Sequence, residues 1–164
     1  QITPRLDWCD VHDLANTIAD NLKQELLPFK FSTVIPSDMP LVFIDFGLIE
    51  QVLNNLVFNA TQNTMAGTNI RLKFFFDQGA LTIQVMDRGK GFPASELLSV
   101  FDKFYRGKDA KAGGTGLGLS IVKGYVEAHG GTVIAENRKN GGAIFTIKIP
   151  VKSSEMDKLN KQED

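Results

Sequence analysis

The sequence predicts an α+β fold, a two-layer α/β sandwich in which three helices cover one face of a mixed, largely antiparallel sheet of about five strands. Apolar residues recur with the helical period in three segments, near residues 10–26, 45–64 and 117–129. Two further pairs of segments alternate between apolar and polar residues across a glycine-containing turn, at 70–85 and 132–149, which is typical of β-hairpins. A sheet of hairpins can bury the apolar stripes of the helices.

The composition is that of one globular domain. At 164 residues, the chain can bury roughly two-thirds of the surface that it would expose when unfolded. A net charge of −1 is not the basic signature of a nucleic-acid-binding protein, and no apolar run approaches the ~20 residues of a membrane span. We expect one soluble domain over residues 1–150 and a charged C-terminal tail over residues 151–164.

Two features bear on the setting of the protein. The single cysteine, Cys9, excludes an internal disulfide and favours a reducing, cytosolic environment. The sequence begins with Gln1 rather than with methionine, so we expect it to be a piece of a longer protein.

The first predicted helix covers about residues 10–26. Asp7 or Asp10 is expected to cap its N-terminus, and Pro28 is expected to end it. Its apolar stripe, repeated at helical spacing, consists of Val11, Leu14, Ala15, Ile18, Leu22 and Leu26.

The second helix shows the clearest periodicity in the chain. Residues 29–35 and 41–44 precede it and are expected to be short strands, because both are rich in β-forming residues. Asp45 can cap the helix, and Asn55 and Asn59, four positions apart, share one of its faces. The apolar stripe consists of Ile49, Val52, Leu53, Leu56, Val57 and Ala60.

Glycine-containing segments follow the predicted strands and could hold a ligand. Residues 87–91 (Asp-Arg-Gly-Lys-Gly) follow the first hairpin, and residues 113–120 open the third helix, which ends near His129. Glycines let backbone N–H groups approach an anion, and the N-terminus of a helix adds a positive dipole end. The alternative interpretation of residues 113–120 is a flexible hinge before the third helix. Between the two, the polar residues 107–113 are expected to form a mobile lid.

Four pieces therefore stand in a fixed order: Asn55-x-x-x-Asn59, Asp87-x-Gly89-x-Gly91, the run 101–106, and Gly114-x-Gly116-x-Gly118. Together they resemble the ATP-binding domain of sensor histidine kinases, a Bergerat-type sandwich. The resemblance extends from about residue 11 to residue 150. The closing run 101–150 looks most like kinases of the potassium-sensing type.

The resemblance implies a role for each piece. Asp87 would accept a hydrogen bond from the adenine amino group, while Gly89 and Gly91 let the ring approach the backbone. Asn59 would be an oxygen ligand for Mg²⁺. A turn that closes a strand is the alternative for Asp87, and a surface amide is the alternative for Asn59.

The phosphates would be held by the lid and by the glycine-rich loop. The lid would supply Arg106 and Lys108 to the terminal phosphates, although a charged loop is more often simply solvated. Phe101 and Phe104 are expected to be core or lid-docking residues. The phosphate-cradling residues of the glycine-rich loop would be Gly114, Thr115, Gly116, Leu117 and Gly118.

The sequence departs from the family pattern at the end of the second helix. A basic residue usually lies three positions after the second asparagine, with an aromatic residue next to it. This chain has Gln62 and Asn63 there, so we expect weaker phosphate attraction and weaker stacking on the base.

Asn55 is the residue that distinguishes ATP hydrolysis from phosphoryl transfer within this fold. In the related gyrase-type and chaperone ATPases, a glutamate at this position activates water, and an amide cannot accept that proton. We therefore expect slow hydrolysis and transfer of the γ-phosphoryl group to a histidine, with Asn55, Asn59 and Arg106 as the catalytic set. Two alternatives stay open: a serine-phosphorylating, partner-binding module of the anti-sigma type, and a nucleotide sensor without catalysis.

The resemblance also implies partners. The phosphoryl acceptor would lie on a separate dimerisation domain of the parent protein, which would pass the group to a response-regulator receiver domain. The parent is expected to be a homodimer anchored in the bacterial inner membrane, with this domain cytoplasmic and monomeric in isolation. His12 superficially matches an acceptor motif, but prolines after the first helix leave no room for a second long helix. His129 is expected to cap the last helix instead.

Overall fold

In the computed structural model, residues 2–105 and 118–155 are described. The helices are α1 (Val11–Asn21), α2 (Lys23–Leu26), α3 (Phe46–Asn63) and α4 (Gly118–Ala128). The strands are β1 (Asp7–Cys9), β2 (Lys30–Val34), β3 (Val42–Ile44), β4 (Asn69–Asp77), β5 (Ala80–Met86), β6 (Thr132–Asn137) and β7 (Ala143–Pro150). A short 3₁₀ turn spans Ala94–Glu96.

The main sheet has five strands in the order β2-β4-β5-β7-β6. Among the described strands of this sheet, β2 and β4 are parallel and the other neighbouring pairs are antiparallel, which confirms the predicted mixed sheet and the α+β fold. The register places apolar residues beside one another across three strands, with Phe74 opposite Ile83 and Ile83 opposite Ile147. The helices cover this apolar face.

The core lies between α1, α3 and α4 and the apolar face of the sheet. The predicted stripes of the first two helices are buried in full. From α4 the core receives Val122 and Val126. From the central strands it receives Ile70, Leu72, Phe74, Leu81, Ile83, Phe145, Ile147 and Ile149, all of which are at most 1% exposed.

The helix ends match the predicted caps. Asp10 accepts a hydrogen bond from His12 N at the start of α1, and Asp45 accepts one from Leu48 N (3.0 Å) at the start of α3. The first helix is not continuous, however, because Leu22 leaves the helical conformation (φ −109°, ψ 22°) and α2 adds only one further turn. Leu22 and Leu26 still reach the core.

One structural feature is absent from the sequence-based prediction. The strand expected over residues 41–44 does not join the main sheet, because it pairs with β1 in a separate two-stranded sheet. The rings of Trp8 and Phe43 contact each other across this pair, with centroids 5.1 Å apart. Residues 151–155 also join it: Phe43 N donates to Lys152 O, and the side chain of Ser153 is fully buried.

The two histidines occupy the helix ends. His12 is exposed beside the capping carboxylate of Asp10. His129 Nε2 accepts a hydrogen bond from Asp45 N (3.1 Å), so its Nδ1 carries the proton that is donated to Tyr125 O (2.9 Å). His129 therefore caps the C-terminus of α4, as predicted. Within the described ranges, no helix has the length and apolarity to cross a membrane.

Candidate functional site

The candidate site lies where the end of β5, the C-terminal half of α3 and the start of α4 meet. The link between α3 and α4 is close: a Cβ atom placed on Gly118 would lie 3.6 Å from Asn55 Oδ1. The loop after β5 packs even more tightly against α3, because a Cβ atom on Gly89 would overlap the backbone carbonyl group of Asn63. The long periodic helix therefore carries both asparagines to one edge of the sheet.

Asp87 is the buried acid of this site, with only 3% of its surface exposed. Its Oδ1 accepts hydrogen bonds from Gly89 N (2.9 Å) and Ala143 N (3.1 Å). Asp87 N in turn donates to Ala143 O (3.0 Å), so β7 holds the end of β5 in place. The backbone N–H groups of Gly89 and Ala143 both donate to Oδ1, and neither uses Oδ2.

Burial raises the pKa of Asp87 above its usual value, because a charged carboxylate is poorly solvated there. The N–H groups of Gly89 and Ala143 oppose this shift, and so does the charge of Arg138. The Thr64 hydroxyl is close enough to lower the pKa slightly, yet it makes no hydrogen bond of standard geometry with any described residue. A buried hydroxyl without a partner is unusual, and it lies beside the acid.

Two glycines make the loop around Asp87 possible. A Cβ atom on Gly89 would lie 2.9 Å from the carbonyl carbon of Asn63 and closer still to its oxygen. On Gly142, which has a φ of +104°, a Cβ atom would lie 2.8 Å from the Asp87 carbonyl carbon. Both neighbours are backbone atoms, so neither position has room for a side chain. The Gly-Gly turn before β7 is thus part of the site.

Three residues of the site were not predicted from the sequence. Asn137 holds the loop after Gly91 through two hydrogen bonds, from its Nδ2 to Phe92 O (2.7 Å) and from Phe92 N to its Oδ1 (2.8 Å). Arg138 Nη1 donates to Asp87 O (2.9 Å). Thr64 lies beside the carboxyl group. Asn137 and Arg138 precede a recognisable Asn-Gly-Gly turn, but their partners depend on strand register.

The side-chain oxygens of both asparagines of α3 have defined neighbours. Asn55 Oδ1 lies 3.6 Å from where a Cβ atom on Gly118 would be, and Asn59 Oδ1 accepts a hydrogen bond from Asn63 Nδ2 (3.2 Å). An amide oxygen has two lone pairs, so Asn59 Oδ1 retains one for a further partner. This neutral oxygen suits a cation that keeps most of its ligands from water or phosphate.

Several predicted site residues lie outside the described part of the chain. They are Arg106, Lys108, Gly114, Thr115, Gly116 and Leu117, together with the predicted lid. Phe101, which precedes the lid, is buried and packs edge-on against Phe145 (centroids 5.9 Å apart), as predicted for a core residue. Phe104 is 68% exposed and is therefore not a core residue.

Comparison with known proteins gives consistent matches. The model of the family described as "Histidine kinase-, DNA gyrase B-, and HSP90-like ATPase" matches residues 45–153. The chain is 38% identical to the sensor protein KdpD of Clostridium acetobutylicum over 125 residues, which cover 74% of this chain and 14% of that protein. It is 34% identical to KdpD of Escherichia coli over 146 residues, or 88% of this chain and 16% of that protein. The chain thus spans only a small part of the length of these relatives.

Solved structures show the same fold. The catalytic domain of histidine kinase ThkA, in a nucleotide-free form, superposes with a TM-score of 0.80 at 27% identity. The match covers 89% of this chain and 95% of that domain. Full-length ShkA in complex with AMPPNP gives a TM-score of 0.83 at 26% identity, covering 93% of this chain and 32% of that protein.

Proposed function

Since this chain belongs to the family of histidine kinase-, DNA gyrase B- and HSP90-like ATPases, we propose that it binds Mg-ATP and transfers the γ-phosphoryl group to a histidine on a separate domain of its parent protein. The observation that supports this most is the buried carboxyl group of Asp87, held through one oxygen and backed by glycines. The similarity to the catalytic domain of histidine kinase ThkA favours this reaction over the anti-sigma alternative.

Asp87 and its loop are proposed to recognise adenine. Its Oδ2 would accept a hydrogen bond from an exocyclic amino group, which adenine has at C6 and guanine lacks there. The unpartnered Thr64 hydroxyl would complete this recognition, directly or through a water molecule. Gly91, whose φ is +70°, would let the loop backbone approach the ring.

The donor set fits a magnesium ion. Asn59 offers one neutral oxygen, and the remaining coordination sites of the ion are left for water and phosphate oxygens. When bound, Mg²⁺ would neutralise charge on the transferring phosphoryl group. Arg106 and Lys108 are proposed to meet the terminal phosphates, and residues 114–118 to cradle them.

The reaction is proposed to be transfer rather than hydrolysis. Asn55 lies on α3 beside the start of α4, and its amide cannot take a proton from water, so the described site lacks a base at that position. The residues of the chain would instead orient the triphosphate until an acceptor histidine arrives. We propose that this histidine lies on a dimerisation domain of the parent, which passes the phosphoryl group to a response regulator.

The remaining proposals concern the whole protein. The parent would be a homodimer anchored in the bacterial inner membrane, and this domain would be monomeric and cytoplasmic. Residues 1–150 would form the ATP-binding unit and residues 151–164 a charged C-terminal tail, although the first residues of this tail pair with residues 41–43. A nucleotide sensor without phosphotransfer is the second candidate, because Gln62 and Asn63 replace the usual basic and aromatic residues.

The adenine assignment is tested by Asp87→Asn. We expect ATP affinity to fall about 10- to 100-fold, because hydrogen bonds to a charged group contribute roughly 1.5–3 kcal/mol. Asp77→Asn, which changes an exposed acid at the end of β4, is the matched control. Isothermal titration with ATP and GTP measures the effect. Equal ATP affinity in the two variants would refute the assignment.

The reaction is tested by adding γ-labelled ATP and a separately produced dimerisation domain of the parent. We expect acid-labile phosphate on the added domain and none on this chain. Label on this chain that His12→Ala abolishes would contradict the proposal. ATP binding without any transfer would favour the nucleotide sensor.

A further inference from the structure

The last turn of α3 holds an amide pair that the family pattern does not contain. Asn63 Nδ2 donates to Asn59 O (2.8 Å) and also lies 3.2 Å from Asn59 Oδ1. Both residues are half-buried, and they are one helical turn apart. A single NH₂ group has two hydrogens, so it can serve both oxygens at once.

These contacts determine how both amides are oriented. A backbone carbonyl can only accept a hydrogen bond, so the group of Asn63 that faces Asn59 O must be its nitrogen. That nitrogen donates, so the atom of Asn59 that faces it must be an oxygen. The backbone of α3 thus fixes the orientation of the Asn63 amide, and the Asn63 amide fixes that of the Asn59 amide.

The orientation matters because the two ends of an asparagine amide have opposite chemistry. The oxygen can bind a cation, whereas the NH₂ group repels one. Free rotation about the last side-chain bond would present either end to the site. With Asn63 in place, Asn59 keeps its oxygen on one defined side and retains one lone pair of that oxygen.

We propose that Asn63 is a positioning residue for the metal ligand Asn59, which it orients so that the amide oxygen binds Mg²⁺. The inference rests on the proposed function, because it assumes the metal site at Asn59. This role would explain why Asn63 departs from the family pattern: its side chain would orient the metal ligand, whereas the usual aromatic residue stacks on the base.

The backbone of Asn63 adds a second constraint. Its carbonyl group lies against Gly89, and Gly89 N donates a hydrogen bond to Asp87 Oδ1 (2.9 Å). The same residue therefore contacts the adenine-recognising loop through its backbone and the metal ligand through its side chain. A side-chain substitution separates the two, because it leaves the carbonyl group in place.

The experiment compares Asn63→Leu with Asn54→Leu in the 164-residue chain. Leucine has nearly the shape of asparagine but no donor. Asn54 lies on the same helix and accepts a hydrogen bond from Asn21 (3.3 Å), on the side of α1. ATP affinity is measured in EDTA and over a series of Mg²⁺ concentrations, and melting temperatures are recorded. Asn63→Ala is the second variant in case leucine is not tolerated.

We expect Asn63→Leu to raise the Mg²⁺ concentration for half-maximal tightening about tenfold, since residues behind a metal ligand typically contribute 10- to 100-fold in affinity. ATP affinity in EDTA should stay within about twofold of wild type, and Asn54→Leu should leave the Mg²⁺ dependence unchanged. An unchanged Mg²⁺ dependence in Asn63→Leu and Asn63→Ala would overturn the inference but not the metal site. Equal ATP affinity of the wild type with and without Mg²⁺ would overturn both.

Discussion

A single methyl group added at Gly89 should destabilise the protein strongly. It belongs to the loop that carries Asp87, and no space for a side chain is left between it and the Asn63 carbonyl group at the end of α3. In Gly89→Ala, the new Cβ atom would lie within 2.9 Å of the Asn63 carbonyl carbon and closer to its oxygen. The neighbour is backbone, so no side chain can rotate away to relieve the overlap.

The magnitude follows from this geometry. Overpacking a well-packed site costs typically 1–3 kcal/mol, and a clash with helix backbone belongs at the upper end, about 3 kcal/mol. In a domain of this size each kcal/mol lowers the melting temperature by about 2–4 °C, so we expect a fall of roughly 6–12 °C. The loop must also shift, which pulls Gly89 N away from Asp87 Oδ1 and weakens ATP binding.

The assay is thermal and urea unfolding of three proteins: wild type, Gly89→Ala and Gly124→Ala. Gly124 lies inside α4, and a Cβ atom there would meet nothing within 4 Å. The same substitution should therefore stabilise the protein by about 0.5–1 kcal/mol, through helix propensity alone. Opposite signs for the two variants are the expected result. If Gly89→Ala melted with the wild type and bound ATP equally well, the close packing of this loop against α3 would be refuted.

Two further predictions follow from buried groups. Burial raises the pKa of Asp87, so its contribution to stability is full below the usual value of 3.8 and is lost as the pH rises through the higher folded value. The free energy of unfolding of wild type, measured by urea unfolding, should thus fall relative to that of Asp87→Asn as the pH rises from 3.8 through the higher folded pKa, and parallel curves would contradict this. Burial, with Asp10 and Asp13 nearby, raises the pKa of Cys9 to about 11. Native protein at pH 8 should react with iodoacetamide far more slowly than protein in urea, and equal rates would show that the thiol is accessible.

Much of the fold could be predicted from the sequence because its elements are locally encoded. The stripe of α3 repeats with the helical period, and Asp45 caps the helix three residues before Leu48, within one turn. The hairpin of β4 and β5 joins neighbouring segments through a short turn, so its register needs no information from elsewhere in the chain.

The spacing of the motifs likewise predicted Asn55, Asn59 and Asp87 as site residues, because each lies at a defined position on its own helix or strand end. Their mutual placement was a prediction of resemblance, and the described structure shows α3 and the loop after β5 in contact. Arg106, Lys108 and residues 114–117 stay predictions, since they lie outside the described ranges.

The sequence by itself determined the helices, the hairpins, the caps and the order of the motifs, because these depend on residues a few positions apart. Only the tertiary structure decided the pairing of β1 with β3, the bonds of Asn137 and Arg138 to the loop after β5, and the approach of Gly142 to Asp87. These contacts join segments tens of residues apart, and a shift of one residue in strand register would remove them. The amide pair of Asn59 and Asn63 is local, yet its orientation also needed coordinates, because hydrogen-bond direction depends on side-chain rotation rather than on spacing.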